Sequence, residues 1–223
     1  PTKPKGLCEG TEGSGVFKST DGGDNWLAVN NGLSGLFIES LAIDPTTPDT
    51  VYTTVGFNAF KSTDGGANWV VMNNGLPGAM TIAIDSVNPN TLYATDSISI
   101  FKSTDGGASW LSINNGLPNT SIITSLLIDP VTPNTLYIGF QYNGMNGDGI
   151  YRSDDGGENW VAFNTGLTAP VDIFSLAVSP AAPGVLYAGV YEQGAMSASI
   201  FKHSSAIPKN WSPSDTRIAS PGF

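Results

Sequence analysis

Five carboxylates lie in or beside the connections between predicted strands, and they are the side chains best suited to chemistry. A pair of facing carboxylates, one of them with a raised pKa, can hydrolyse a glycosidic bond. The sequence does not show which two of the five would face each other. We therefore predict no catalytic residue, and hydrolysis of a neutral glycoside stays an alternative. The five are Glu39, Asp96, Asp148, Asp172 and Glu192.

The basic residues are too few to form a site for an acidic sugar. The chain has nine lysines and arginines and a net charge of −10. Only Arg152 and Arg217 are arginines, so no arginine cluster can grip a sugar carboxylate, and sialidase activity is not expected. His203 is the only histidine, which argues against histidine catalysis and histidine-ligated zinc. An acidic surface repels phosphate backbones, so nucleic acid is not an expected partner.

Two long connections combine aromatic and amide side chains, a composition that suits sugar rings or a peptide. Insertions into one kind of loop mark a candidate binding surface in repeat proteins. The alternative is that these loops are only variable and pack on themselves. Spaced oxygens in residues 143–148 could ligate calcium, but loops rich in Gly and Asn give such patterns by chance, and we predict no metal and no cofactor. The candidate ligand-binding residues are Phe140, Tyr142, Asn143, Asn146, Asp148, Tyr191, Glu192 and Gln193.

A near-identical string determines where these loops fall. Phe-Lys-Ser-Thr-Asp-Gly-Gly-x-x-Trp begins at Phe17, Phe60 and Phe101, returns as Tyr151 to Trp160, and ends in a degenerate copy, Phe201 to Trp211. Between successive tryptophans the chain repeats four short strand-like runs, separated by Asn-Gly turns and by proline-rich turns. Such regular self-similarity indicates an array of one supersecondary unit. Four antiparallel strands per unit predict an all-β fold, the β-propeller.

The string resembles the Asp-box, the bacterial neuraminidase repeat of sialidases, xyloglucan-cleaving glycoside hydrolases, sortilin-type receptors and photosystem assembly factors. The resemblance implies that the box is a structural turn on the side away from the binding loops. We expect the lysine or arginine that follows each repeat aromatic to be a solvated strand position. The structural box residues are Ser19, Asp21, Gly23, Trp26, Ser62, Asp64, Gly66, Trp69, Ser103, Asp105, Gly107, Trp110, Ser153, Asp155, Gly157 and Trp160.

Five blades account for the chain as a single propeller domain over residues 1–223. Residues 215–221 resemble a first strand, and their pairing with the N-terminal strands would close the ring without an exposed edge. Arg217 interrupts that pattern, since leucine stands in its place in two other first strands. The alternative is a fragment of a ring of six to eight blades. The expected blades are 6–33 with 215–221, 36–76, 78–117, 120–167 and 171–211.

One face of such a propeller carries the connections between blades and those between second and third strands. We predict that this face binds the partner and that the box turns lie on the other face. The predicted binding loops are 35–37, 56–58, 77–80, 96–99, 118–122, 140–149, 168–173 and 191–199.

The composition favours an extracellular binding protein. Charged residues make up only 13% of the chain, no apolar run reaches membrane-span length, and the single cysteine, Cys8, excludes an internal disulfide. We predict a non-catalytic, secreted or cell-surface propeller of bacterial type that binds a glycan or a protein partner, and we leave oligomerisation open. The alternatives are a glycoside hydrolase, or a fragment of one, and a structural repeat segment of a larger surface assembly.

Overall fold

The computed structural model describes residues 6–141, 148–167, 171–179, 182, 184–192, 197–204 and 210–214. Every regular element in this part of the chain is a β-strand, and the strands form five antiparallel sheets. The predicted all-β propeller of repeated antiparallel sheets is confirmed. Contacts group the chain into two compact units, Pro1–Asp96 with Ile100–Ser112, and Ser97–Ser99 with Ile113–Phe223. A single domain over residues 1–223 stays a prediction.

The first unit contains three sheets. The first sheet has three strands, β1 (Leu7–Thr11), β2 (Gly15–Ser19) and β3 (Leu27–Ala28). The second sheet has β4 (Ile38–Ile43), β5 (Val51–Val55), β6 (Asn58–Ser62) and β7 (Val70–Val71). The third sheet has β8 (Thr81–Ile84), β9 (Leu92–Thr95), β10 (Ile100–Ser103) and β11 (Leu111–Ser112). The strand predicted to complete the first sheet, residues 215–221, lies outside the described residues, so ring closure stays a prediction.

The second unit contains two sheets of four strands. The fourth sheet has β12 (Ile122–Ile128), β13 (Leu136–Gln141), β14 (Ile150–Ser153) and β15 (Val161–Ala162). The fifth sheet has β16 (Val171–Val178), β17 (Val185–Glu192), β18 (Ser197–Ser204) and β19 (Ser212–Pro213). Each strand pairs with the next one along the chain, so every sheet is a simple meander.

The middle strands form the core of each sheet, and the last strand forms its exposed edge. Every residue of β5 and β9 is buried, whereas both residues of β7 and of β11 are exposed. These last strands are only two residues long. Short edge strands offer few free backbone groups for pairing with another chain, which limits aggregation.

Four tryptophans donate hydrogen bonds to carbonyl oxygens about forty to fifty residues earlier in the chain. Trp69 is only 4% exposed, and its indole N–H donates to the Val29 carbonyl oxygen at 2.8 Å. Its backbone N–H donates to the Asn31 carbonyl oxygen at 2.9 Å. A Cβ at position 32 would lie only 2.3 Å from the Trp69 carbonyl oxygen. Glycine at this position therefore leaves the room that the Trp69 backbone needs. Equivalent indole bonds join Trp110 to Met72, Trp160 to Ile113 and Trp211 to Phe163.

Candidate binding face

Four turns that precede the last strand of a sheet share one hydrogen-bond network. In residues 62–69, the Ser62 hydroxyl donates to Asp64 at 2.7 Å and accepts from the Gly66 N–H at 2.8 Å. Asp64 accepts from the backbone and side-chain amides of Asn68 at 2.8 and 2.7 Å. We call residues 19–26, 62–69, 103–110 and 153–160 the Ser-Asp turns, since the same bonds recur in each.

The Ser-Asp carboxylates are ionised and fully bonded. Hydrogen bonds, the strongest from the side chain four residues further on, lower the pKa of each to about 2. A catalytic acid needs a pKa near the working pH instead. This network therefore suits a structural turn. The four carboxylates belong to Asp21, Asp64, Asp105 and Asp155.

The two ends of each sheet carry different connections. At one end, the Gly65 N–H donates to the Asp49 carbonyl oxygen at 2.8 Å, which places a Ser-Asp turn beside the turn between first and second strands. Gly156 makes the same bond in the second unit. We call this end the turn face of each unit. At the other end, the loop face, Ala79 donates to the Phe57 carbonyl oxygen at 2.9 Å and joins the β5–β6 turn to the β7–β8 connection.

The cations of the third strands are engaged in contacts at or near the turn face. Lys61 Nζ lies 5.4 Å from the centre of the Tyr52 ring and donates to the Gly106 carbonyl oxygen at 3.0 Å. Lys18 Nζ lies 3.5 Å from the Asp49 carboxylate. The lysine or arginine that follows each repeat aromatic is half-buried and contacts neighbouring residues. The expectation that this position is simply solvated is therefore corrected. Stacked pairs recur as Lys102 with Tyr93, Arg152 with Tyr137 and Lys202 with Tyr187.

The loop face of the first unit gathers an aromatic ring, a thioether and two carboxylates. The side chain of Phe57 is 56% exposed and that of Met80 is 38% exposed. Burial raises the pKa of Glu39, and a hydrogen bond from the Phe57 amide opposes that rise. A Cβ on Gly78 would lie 3.8 Å from the Phe57 Cβ and 3.9 Å from the Asp96 Cβ, so these two side chains flank Gly78. Glu39, Phe57 and Asp96 therefore belong to one surface.

The loop face of the second unit carries an aromatic pair. The Phe174 ring is 57% exposed and lies 6.4 Å from the Tyr191 ring, centre to centre, at 64°. Phe174 stands at a β-bulge in β16, where pairing with β17 shifts register. Asp148, which is half-buried, accepts a hydrogen bond from the Ser121 hydroxyl. Of the predicted ligand residues, Asp148, Tyr191 and Glu192 thus keep side chains partly open to solvent.

Other predicted residues are less available or lie outside the described part. Phe140 is completely buried and packs edge-on against Tyr151 at 5.5 Å, so its ring supports the sheet and cannot reach a ligand. Asp172 is buried at 3% exposure. The remaining predicted ligand residues, Tyr142, Asn143, Asn146 and Gln193, lie outside the described residues.

Phe57 lies in the predicted binding loop 56–58 and Phe174 lies just beyond the predicted loop 168–173, but neither ring was singled out from the sequence. A signal for Phe174 was present, because the position just before the serine or threonine that aligns with Ser40 in each first strand changes from copy to copy. Glu39, Met80, Thr124 and Phe174 occupy that position. The next position keeps serine or threonine in all four copies, so the variation just before it marks a place where the side chain can differ between sheets.

No metal site and no spanning helix emerge from the part of the chain that the structure describes. Groups of three or more His, Cys, Asp or Glu side chains able to hold a metal ion are absent from it. It also contains no helix long and apolar enough to cross a membrane. His203 is buried and its ring lies 4.6 Å from Phe163 and 5.6 Å from Trp211, centre to centre, which suits a core residue.

The chain is similar to solved structures, although its sequence matches no protein-family profile and no curated protein. A GH74 xyloglucanase from Xanthomonas campestris is 16% identical, with a TM-score of 0.76 over 96% of this chain and 37% of its own. An extracellular domain of BT4673, a two-component system protein from B. thetaiotaomicron, is 16% identical, with a TM-score of 0.66 over 95% of this chain and 26% of its own. YCF48 bound to D1 peptide is 16% identical, with a TM-score of 0.65 over 95% and 68%.

These similarities establish the β-propeller fold and no finer relationship, because sequence identity is low in each case. The chain spans only 30–37% of the length of the GH74 enzymes that it matches. What those enzymes do as whole proteins is therefore not transferred to this chain by the fold.

Proposed function

We propose that the chain is a non-catalytic β-propeller that binds a glycan or a protein partner through its loop faces. The observation that carries the proposal is the exposure of Phe57 and Phe174, at 56% and 57%, on the loop faces of the first and second units. Aromatic rings supply much of the energy of recognition surfaces, because they bury a large area at low entropic cost.

The neighbours of these rings support the same proposal. Tyr191 lies beside Phe174, and Glu39 and Asp96 lie beside Phe57, so each ring is joined by polar groups that can orient a ligand. We propose that the predicted ligand residues outside the described part also belong to the binding surface; these are Tyr142, Asn143, Asn146 and Gln193. Phe140 serves as its buried support.

We also infer that the chain is an Asp-box protein of the extracellular space or the cell surface. The four Ser-Asp turns, with their shared hydrogen-bond network and with buried tryptophans in three of them, support the family assignment. The similarity to an extracellular domain of BT4673 and the low content of charged residues support the location.

A glycoside hydrolase is the second candidate, and the similarity to a GH74 xyloglucanase is the observation that favours it. Hydrolysis would appear as turnover of a neutral polysaccharide that is lost in Asp148→Asn. Against it, Asp172 is buried and Asp148 is held by Ser121, so neither is poised as a solvent-facing acid. A structural repeat segment of a larger assembly is the remaining alternative, and a natural precursor much longer than this chain would favour it.

A glycan array and a pull-down from extracellular extracts, each performed with wild type and two variants, test the proposal. Phe57→Ala with Tyr191→Ala removes one ring from each loop face and should reduce retention of the partner by about tenfold or more. Val70→Ala is the matched control, because Val70 is 68% exposed and lines a groove of about 280 Å³ beside the Ser-Asp turns. Retention that falls only in the Val70 variant would move the site to the turn face.

A further inference from the structure

Phe57 is held in a conformation that a bulky side chain rarely adopts. It has a φ of +65° and is the only non-glycine residue with a positive φ among the described residues. Gly56 precedes it with a φ of +55°, so the two form the tight turn between β5 and β6. Asparagine or glycine would fill this turn without strain. An exposed phenylalanine at such a position contributes little to folding, which points to a role outside the fold.

The carboxylate next to this ring lacks a full set of partners. Glu39 Oε2 is buried and has no hydrogen-bond partner among the described residues. The Phe57 amide contacts the carboxylate and stabilises its charged form. Because the charge of this carboxylate is only partly compensated within the described residues, it attracts a cation placed over the neighbouring Phe57 ring.

Asp96 and Met80 complete the surface on its other side. Asp96 flanks Gly78 opposite Phe57, as the distances around Gly78 show. The Met80 backbone is fixed at both ends, since its N–H donates to the Thr95 carbonyl oxygen at 2.7 Å and its carbonyl oxygen accepts from the Thr54 hydroxyl at 2.9 Å. We call Glu39, Phe57, Met80 and Asp96 the Phe57 site.

We propose that the Phe57 site binds a lysine or arginine side chain of a protein partner. This inference rests on the proposed function and names the partner class for the first unit. A cation over an aromatic face is attracted by the ring quadrupole, and two carboxylates beside the ring add charge complementarity. The chain carries a net charge of −10, and all five described cations occupy the third-strand slot, away from the loop face. A basic, partly apolar segment fits this surface, with its aliphatic side chains on Met80.

Labelled peptides test the charge preference. The probes are a nine-residue peptide of alternating lysine and leucine and its counterpart with glutamate in place of lysine, each titrated with the full chain by fluorescence anisotropy. The lysine peptide should bind at least about tenfold more tightly, and added salt should weaken it. Glu39→Gln and Asp96→Asn should each weaken it by about three- to tenfold. Glu158→Gln is the control, because it removes one exposed carboxylate from a Ser-Asp turn of the second unit and should change nothing.

Phe57→Gly separates binding from folding. The variant relieves the strained turn, so its thermal midpoint should equal or exceed that of wild type, while the lysine peptide binds about tenfold more weakly. Equal binding of both peptides, or a loss in Glu158→Gln as large as in Glu39→Gln, would overturn the inference. A glycan or neutral peptide that is lost in Phe57→Ala would overturn the cation assignment and leave the proposed function standing. If no ligand responds to Phe57→Ala with Tyr191→Ala, both fail.

Discussion

Removal of a single tryptophan should reveal how the sheets depend on one another. Trp69 is 4% exposed and is bonded to the preceding sheet through both its indole and its backbone N–H. Trp26 occupies the same slot of the repeat but is 40% exposed, and its indole N–H donates to the Gly23 carbonyl oxygen of its own turn. The same substitution at these two sites therefore removes very different amounts of packing.

The magnitudes follow from burial. Trp69→Ala empties a packed site and should lower the free energy of unfolding by about 3–5 kcal/mol. The carbonyl oxygen of Val29 also loses its donor, which adds about 1 kcal/mol. Trp26→Ala removes a ring that is already 40% exposed and should cost less, about 1–2 kcal/mol. Urea unfolding followed by far-UV circular dichroism measures both values without relying on tryptophan fluorescence.

One control variant and two possible outcomes test this comparison of the two tryptophans. Val70→Ala, one residue from Trp69 but 68% exposed, should change the free energy of unfolding by less than about 0.5 kcal/mol. If Trp69→Ala and Trp26→Ala lowered the free energy of unfolding equally, packing of Trp69 against the preceding sheet would not be an important source of stability. A cost below about 1 kcal/mol at Trp69 would do the same.

Two further predictions concern the first sheet and acid stability. Cys8 stands opposite Lys18 where the other sheets place tyrosine, beside a cavity of about 510 Å³. Cys8→Tyr should restore a stacked pair and raise the free energy of unfolding by about 1–2 kcal/mol over Cys8→Ser, and a lower stability than Cys8→Ser would contradict this. For the Ser-Asp carboxylates, the folded pKa of about 2 lies below the unfolded value of about 3.9. Their stabilisation is thus complete above about pH 4 and is lost as the pH falls towards 2, so the urea midpoint should fall over that range, and Asp64→Asn should flatten the fall.

The strands and turns could be predicted because their causes are local. Alternating apolar residues, a proline after the first strand and glycines in the Ser-Asp turns all act over a few residues, and the repeat presents each signal several times. The predicted sheets therefore match those observed from β4 to β19 in kind and order. The hydrogen bonds from Trp69 to Val29 and Asn31 could not be predicted this way, since they join residues about forty positions apart.

The candidate site was predicted less well, for a physical reason. Loop length pointed to residues 140–149, but whether an aromatic ring faces water depends on what packs over it. Phe140 pairs with its neighbours inside the fourth sheet and is buried, whereas Phe57, in a turn of only two residues, is exposed. Lys61 shows the same limit, because its strand position looks solvated in the sequence but its ammonium group donates to the Gly106 carbonyl oxygen of the next sheet.

The sequence by itself determined the architecture, because a pattern repeated at a constant period leaves one economical arrangement, a series of similar sheets. It also supports the prediction that this chain forms no arginine cluster for a sugar carboxylate, since it contains only two arginines. Only the tertiary structure decided which face holds the cations and which aromatic rings remain in water. Those properties depend on contacts between sheets, and a side chain such as Phe57 becomes informative only when its neighbours and its strained backbone are seen together.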